Sequence, residues 1–464
     1  MGLSPARKTA FKVVQRVREK DSFAAEAMQS AVSRAKLSPR DKAFATRLAY
    51  GTIATRGTLD ELVATELSRP EDTLDEVKDA LAIAAYELFF EGTEPYVVVN
   101  QGVDLVQFGL ATKVGSKAYA KKLGGLSNAV LRRLSEKRDT LFPGGDPNTD
   151  VEAAARLHGH PVWLAQLLQS EYGVEAAQAI MVVNNEPAPL YVAHLPFLES
   201  EKQSLAALTE AGISFSSAGI EGAFCIEDRA QFWALDVEKR KSFAAMDLAA
   251  QQVVALCRAQ PDQKILEVGS GRGTKSLALA ANARRQGGPA SITGIDLYDF
   301  KTQVAQKTAV DYGVREAHYL TLDVLKHSAA DGLSDMQFDT VLVDAPCSGL
   351  GTLRRGVDKR WKLSTDDISQ LAKLGLHMLK WSSKAVVTGG TLIFATCTIG
   401  HVENQSVIKD FLASPEGQNF SVEPLEISDV ADVFASAITS EGYLNALPQS
   451  GGPDGHFATR MRKG

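Results

Sequence analysis

Two of the four cysteines, Cys347 and Cys397, sit in short motifs that follow apolar runs, Asp344-Ala345-Pro346-Cys347 and Ala395-Thr396-Cys397-Thr398. A cysteine keeps a useful thiolate fraction near neutrality. The thiolate adds readily to an electron-poor carbon and can leave again, which a serine alkoxide does not do easily. Two such residues at the ends of strand-like segments, downstream of a glycine-rich turn, point to thiol chemistry on a pyrimidine base. Cys225 and Cys257 lack such surroundings and read as small buried hydrophobes.

The elements that must position these thiols are those of a repeated strand-and-helix pattern from about residue 245 onward. Lys264-Ile265-Leu266-Glu267-Val268 is an apolar strand that leads into Gly269, Ser270, Gly271, Arg272, Gly273, Thr274 and Lys275, with a helix starting near Thr274. Glycines let the chain turn sharply and approach a ligand, and the helix start offers unpaired amides to an anionic group. The next strand, Ser291 to Ile295, ends at Asp296, where a carboxylate can accept from ribose hydroxyls; at this point NAD and S-adenosylmethionine both remain open. Strands over 318–322 and 338–343 end at Asp323 and Asp344. Three carboxylates on one sheet edge suit ribose hydroxyls, an adenine amine and a cationic centre and would repel a pyrophosphate, which favours S-adenosylmethionine. The plainer alternative is that Asp296 and Asp323 cap the following helices.

Just past the Cys347 motif, 353–362 combines Arg354, Arg355, Arg360 and Trp361, a pattern suited to gripping RNA phosphates and stacking a base, or else simply an exposed basic loop. The helix after it opens with Ser364 and Asp367 in capping-box spacing and buries Ile368, Leu371, Ala372, Leu376 and Leu379.

At 464 residues, with 45% hydrophobic and 23% charged residues, the chain is expected to be globular and divided into two or three domains. Three segments emerge. Residues 1–140 read as all-helical, with Ala10, Val13, Val14 and Val17 at helical spacing and further runs at 40–55, 58–67, 73–90, 97–108 and 118–134. A Pro/Gly-rich stretch at 141–148 follows, then a small α/β module at 151–240, then 241–464 as the ligand-binding part. No secretion signal or membrane span is read, and four cysteines without ligand spacing argue against structural zinc and disulfides, so a reducing cytoplasm and no metal are expected. The net charge is −6, yet the first fifty residues hold eleven Lys and Arg against four Asp and Glu, and a second basic cluster comprises Lys113, Lys117, Lys121, Lys122, Arg132, Arg133, Lys137 and Arg138. Either cluster could be a solvated helix face or a nucleic-acid footprint.

The Asp344 to Thr352 segment and Thr396-Cys397-Thr398 resemble the paired motifs of the RNA cytosine-C5 methyltransferases. Asp41-Lys42-Ala43, Leu48-Ala49-Tyr50-Gly51, 99–103 and 127–132 resemble a NusB-type RNA-binding domain, and the pairing resembles the bacterial 16S ribosomal RNA branch. Further likenesses at His160-Pro161-Val162-Trp163, Met246-Asp247 with Gln251, and Asp454-Gly455-His456-Phe457 extend the resemblance over nearly the whole chain. It implies a Rossmann-like class I methyltransferase domain behind the helical domain, with Cys397 adding to cytosine C6 and Cys347 assisting release. It also implies Asp344 on the base's N3/N4 edge with Lys275 in the same polar network, residues 269–275 around the methionine end of S-adenosylmethionine, Asp296 at the ribose and Asp323 at the adenine. The turn departs from the family's Pro-Gly-Gly-Lys-Thr type, reading Arg272-Gly273-Thr274-Lys275-Ser276 with the lysine retained. The reacting cytosine must be unstacked, so a loop or junction of RNA is the expected substrate, and a monomer is expected. Two alternatives stay open: a non-catalytic RNA-binding or ribosome assembly factor on the same scaffold, and a cytosine-C5 methyltransferase acting on transfer RNA or DNA.

Overall fold

The computed structural model describes residues 2–20, 22–111, 117–327, 333 and 337–464. Lys113 of the second basic cluster lies outside them, as does the side chain of Lys117. The chain divides into two compact units, one of residues 1–186 with 353–363, the other of 187–352 with 364–464.

The first unit is helical. Helices span Pro5–Lys20, Ala24–Arg34, Pro39–Ala54, Arg56–Thr65, Asp75–Phe89, Pro95–Ala111 and Lys117–Glu136, matching the periodic runs to within about one turn. The Pro39 helix starts where Ser38 accepts the Asp41 amide and proline occupies the first turn, both favourable at an N-terminus. Phe11, Leu48, Leu59, Leu62, Leu81, Leu88, Leu105 and Leu131 form one core. Two further helices, Val151–His158 and Val162–Val183, complete the unit.

The second unit holds two sheets. The smaller has β1 (Leu190–His194), β2 (Phe215–Ser217), β3 (Ala223–Ile226) and β4 (Phe243–Ala245) in the order β2-β3-β1-β4, all antiparallel. Val192, Leu208, Phe224, Phe232 and Phe243 fill its core.

The larger sheet contains β5 (Lys264–Val268), β6 (Ser291–Asp296), β7 (Ala317–Thr321), β8 (Phe338–Asp344), β9 (Val386–Thr396), β10 (Phe420–Val422), β11 (Leu444–Ala446) and β12 (His456–Lys463). Its order is β10-β12-β9-β8-β5-β6-β7, with β11 on β12. The strands β7, β6, β5, β8 and β9 are parallel, whereas β12 runs antiparallel to β9. Leu266, Val341, Leu342, Val343, Leu392, Ile393 and Phe394 are completely buried, as expected of central parallel strands covered on both faces. This is the Rossmann-like sheet expected from the sequence. Chain order reverses at β5, between β6 and β8, which opens the crevice where α/β sheets take ligands.

Register fixes what gathers at that edge. Val268 pairs with Ile295 and Val343, and Asp344 pairs with Ala395. Gly269, Asp296 and Asp344 therefore come out side by side. The chain then needs only three residues after Asp344, and two after Ala395, to reach the cysteines.

Among the described residues no helix is long and apolar enough to cross a membrane, and no group of three His, Cys, Asp or Glu could hold a metal ion.

Candidate active site

The sheet brings Cys347 and Cys397 together, with their sulfurs 3.4 Å apart and both side chains half-buried. The loops that carry them are cross-braced: Ala345 N donates to Ala395 O at 3.0 Å and Gly351 N to Cys397 O at 3.1 Å. Gly455 N in turn donates to Gly351 O at 2.8 Å, which gives the Asp454-Gly455-His456-Phe457 motif a structural task. Asp454 N donates to Asp247 Oδ1 at 3.1 Å, and Asp247 caps the helix Leu248–Leu256. The hydrogen bond with Cys397, and after it burial, hold the Cys347 thiol well above its ordinary range.

Lys275, in the first turn of the helix Thr274–Arg285, reaches Asp344 with Nζ 2.6 Å from Oδ2. Burial works against its charge, but Asp344 and Glu267 outweigh it, and Cys397 adds to the attraction, so the ammonium persists. Glu267 lies behind it, completely buried and hydrogen-bonded to Ser276. Burial pushes its carboxyl up to about 7, against the pull of Lys275 and Ser276.

Gly269 needs to be glycine: its φ is +89°, and a Cβ there would stand 2.2 Å from the Asp344 carbonyl oxygen. Ser270 is buried and its hydroxyl has no hydrogen-bond partner, while Gly271, Arg272, Thr274 and Lys275 are open to solvent in different degrees and Gly273 is buried. Asp296 accepts Gly271 N and Tyr298 N, each at 3.0 Å, through its two oxygens. Asp323 stands apart. It lies beyond the end of β7, accepts the Leu325 amide at 3.0 Å and pairs with Lys326 at 3.3 Å. The Leu325 amide is the leading reason its carboxyl titrates below the usual range. In this structure it closes a local turn.

The 353–362 segment corrects an expectation. Arg360 is not a phosphate grip: it is 0% exposed, with its guanidinium on Asn184 O (3.0 Å), Asn185 Oδ1 (2.9 Å) and Gly159 O (3.3 Å). Burial alone lowers its pKa to about 9, so it stays cationic at neutral pH. Beside it His160, buried and repelled by that charge, is held well below its ordinary range and stays neutral. Trp361 donates its indole N–H to Ala54 O at 2.7 Å and covers Gly57, where a Cβ would meet the ring at 2.1 Å. Arg354 is buried too, and of the four residues only Arg355 is exposed. The segment is built into the core of the helical unit through Val357. Arg360→Ala should therefore destabilise the protein by about 2–4 kcal/mol, through a cavity and stranded carbonyls, as read by chemical denaturation. The salt dependence of RNA binding should keep its slope, because no phosphate contact is lost.

Sequence reasoning missed Glu403, Asn404, Ser348 and Thr398, which hydrogen-bond to one another behind the thiols. The signal was present as a Glu-Asn pair in the short link between β9 and the helix Gln405–Leu412, where a buried polar pair needs partners.

A glycine turn at the switch point of a sheet whose last strand inserts antiparallel beside β9 defines a Rossmann-like methyltransferase fold. Residues 254–462 match the family model described as 16S rRNA methyltransferase RsmB/F, residues 4–136 the NusB family, and residues 160–231 the ferredoxin-like domain of RsmF/B-like methyltransferases. The chain is 25% identical over 470 residues to the probable ribosomal RNA small subunit methyltransferase B of Bacillus subtilis (strain 168), covering 100% of both. It is 29% identical over 436 residues, 92% of each chain, to ribosomal RNA small subunit methyltransferase B of Pseudomonas putida (strain KT2440). The crystal structure of PH0851 shares the fold at a TM-score of 0.80, with 17% identity and 100% of both chains covered. Residues 254–462 thus form a domain of the RsmB/F methyltransferase family, preceded by a NusB-family domain at residues 4–136.

Proposed function

We propose that this protein transfers a methyl group from S-adenosylmethionine to C5 of a cytosine in RNA, with Cys397 adding to C6 and Cys347 assisting release. The observation that carries the proposal is the pair of thiols, 3.4 Å apart, beside a lysine-carboxylate pair at the sheet's ligand edge.

The residues present fit the cofactor. Gly271 faces open space, with nothing within 4 Å of a Cβ built there. The unpartnered Ser270 hydroxyl lies in the same turn, and the helix N-terminus beside it presents amides suited to a carboxylate. In this reading residues 269–275 hold the methionine end, Asp296 the ribose and Asp323 the adenine side. S-adenosylmethionine, when bound, supplies an electrophilic methyl group.

The chain's own groups do the rest. Cytosine C5 is a weak nucleophile until a thiolate adds at C6 and pushes electron density onto C5. Cys397 suits that role because the Lys275 ammonium attracts its negative charge. Asp344, partly exposed at 27%, can meet the N3/N4 edge of the base while Lys275 orients it. After methylation the C5 proton must go to a base. The C5–H electron pair then restores the C5–C6 double bond and expels Cys397 as thiolate.

Small-subunit ribosomal RNA is the substrate we infer from the relatives' names, with residues 1–140 as an RNA-binding domain, 151–240 as a small RNA-binding or linking module and 241–464 as the methyltransferase domain. The test is transfer of labelled methyl from S-adenosylmethionine to unmodified 16S rRNA, followed by nucleoside analysis. The expected product is 5-methylcytidine at one position. No transfer to rRNA, or to a panel of transfer RNA and DNA, would favour a non-catalytic assembly factor.

A further inference from the structure

A buried carboxylate joins the two cysteine loops. Glu403 is 2% exposed; its Oε1 accepts Ser348 N at 2.7 Å, and its Oε2 accepts Ser348 Oγ at 2.6 Å and Thr398 Oγ1 at 3.2 Å. Ser348 and Thr398 are the residues that immediately follow Cys347 and Cys397, and their hydroxyls meet each other at 2.8 Å. Asn404 extends the clamp to the other side of Cys397: its Oδ1 accepts Thr396 Oγ1 at 2.7 Å and its Nδ2 donates to Thr398 O at 3.0 Å.

A thiol forms only weak hydrogen bonds and cannot fix its own direction. The backbone on either side must do it. A buried carboxylate is costly to keep unless every lone pair is used, and here the partners come from both loops. Burial pushes the Glu403 carboxyl up while the Ser348 bonds pull it down.

We propose that Glu403 is the positioning residue of the thiol pair: by clamping the residue after each cysteine it sets the separation and direction of both sulfurs. Its consequence for catalysis rests on the methyl-transfer reading, but the clamp itself can be measured without RNA.

The probe is phenylarsine oxide on the full-length protein. The reagent condenses with two neighbouring thiols to give one arsenic bridged to both sulfurs and one water, and a small dithiol competes for it, so the balance reports how well the two sulfurs are held together. Glu403→Ala should weaken this capture by about tenfold or more, and Ser348→Ala or Thr398→Val by a smaller factor, about threefold, because misplacing preorganised groups by even about 1 Å is costly. Glu403→Gln keeps an accepting oxygen and should recover capture to within about threefold of wild type. In methyl transfer, kcat should fall in the same order while the KM for S-adenosylmethionine holds, a split that general loosening of the fold would not give.

A folded Glu403→Ala protein that captures the arsenical within about twofold of wild type overturns the clamp, since effective concentration would then owe nothing to the carboxylate. Should Glu403→Ala fail to fold, Ser348→Ala and Thr398→Val decide by the same comparison, wild-type capture counting against the proposal. If the variants lose capture in this order and yet wild type methylates no RNA, the clamp stands and the methyl-transfer reading falls.

Discussion

Replacing Cys397 by alanine is expected to lower RNA methylation by at least about 10⁴-fold, the scale on which enzymes lose rate with their nucleophile, or about 5.5 kcal/mol of transition-state stabilisation. The size follows from the chemistry rather than from any lost contact. Without addition at C6 there is no enamine-like electron density at C5, and no neighbouring group can supply it. Lys275 is cationic, Asp344 is engaged with Lys275, and Cys347 keeps its proton. The fold should hardly notice, because Cys397 is half-buried in a loop whose backbone is held by Gly351 and Asn404; a stability change within about 1 kcal/mol is expected. Nucleoside analysis after incubation with labelled S-adenosylmethionine reads the activity, and thermal melting and cofactor binding serve as controls. A variant that keeps more than a tenth of wild-type transfer with a normal melt would remove Cys397 from the reaction.

What the sequence made legible was the part of the site carried by local pattern. Apolar runs ending in Asp296 and Asp344 do end there as parallel strands, because a buried central strand must be continuously apolar and stops where the chain meets solvent at the sheet edge. Cys347 follows three residues after Asp344, and Cys397 follows directly on the end of β9 at Thr396. What failed to show was whatever depends on a partner distant in the chain. Arg360 and Trp361 read as a basic, aromatic RNA grip, since nothing within 353–362 reveals that Asn184, Asn185, Gly159 and Ala54 supply waiting oxygens. Glu403 lies 55 residues from Ser348, and no periodicity links them. Asp323 is placed differently: β7 ends at Thr321, so its carboxylate lies past the strand end and accepts the Leu325 amide. The antiparallel insertion of β12 beside β9 was equally hidden, for strand order depends on crossovers that composition does not encode.

Cys347→Ala should behave in the opposite way to Cys397→Ala, accumulating a covalent protein–RNA adduct instead of losing the first step. In the resting protein the foremost cause of Cys347's raised pKa is its hydrogen bond with Cys397. Once the Cys397 sulfur is bonded to C6 it ceases to be an anionic neighbour, and that cause disappears. Cys347, whose sulfur lies 3.4 Å from that of Cys397, is then the thiol placed to take the C5 proton in the methyl-transfer reading. Alanine offers no lone pair, so elimination falls to water and should slow by about 10²–10⁴-fold, the usual contribution of a positioned base. In the methyl-transfer reading, formation of the adduct draws on Cys397, Lys275 and Asp344 and should continue, so the slowed step traps enzyme on methylated RNA. Denaturing gel electrophoresis of protein with labelled RNA would show the adduct as a retarded band, and mass spectrometry of the linked peptide should place it on Cys397. A single burst of methyl incorporation, close to one per protein, should accompany it. A Cys347→Ala protein that turns over at the wild-type rate with no retarded band would place the base elsewhere in the site.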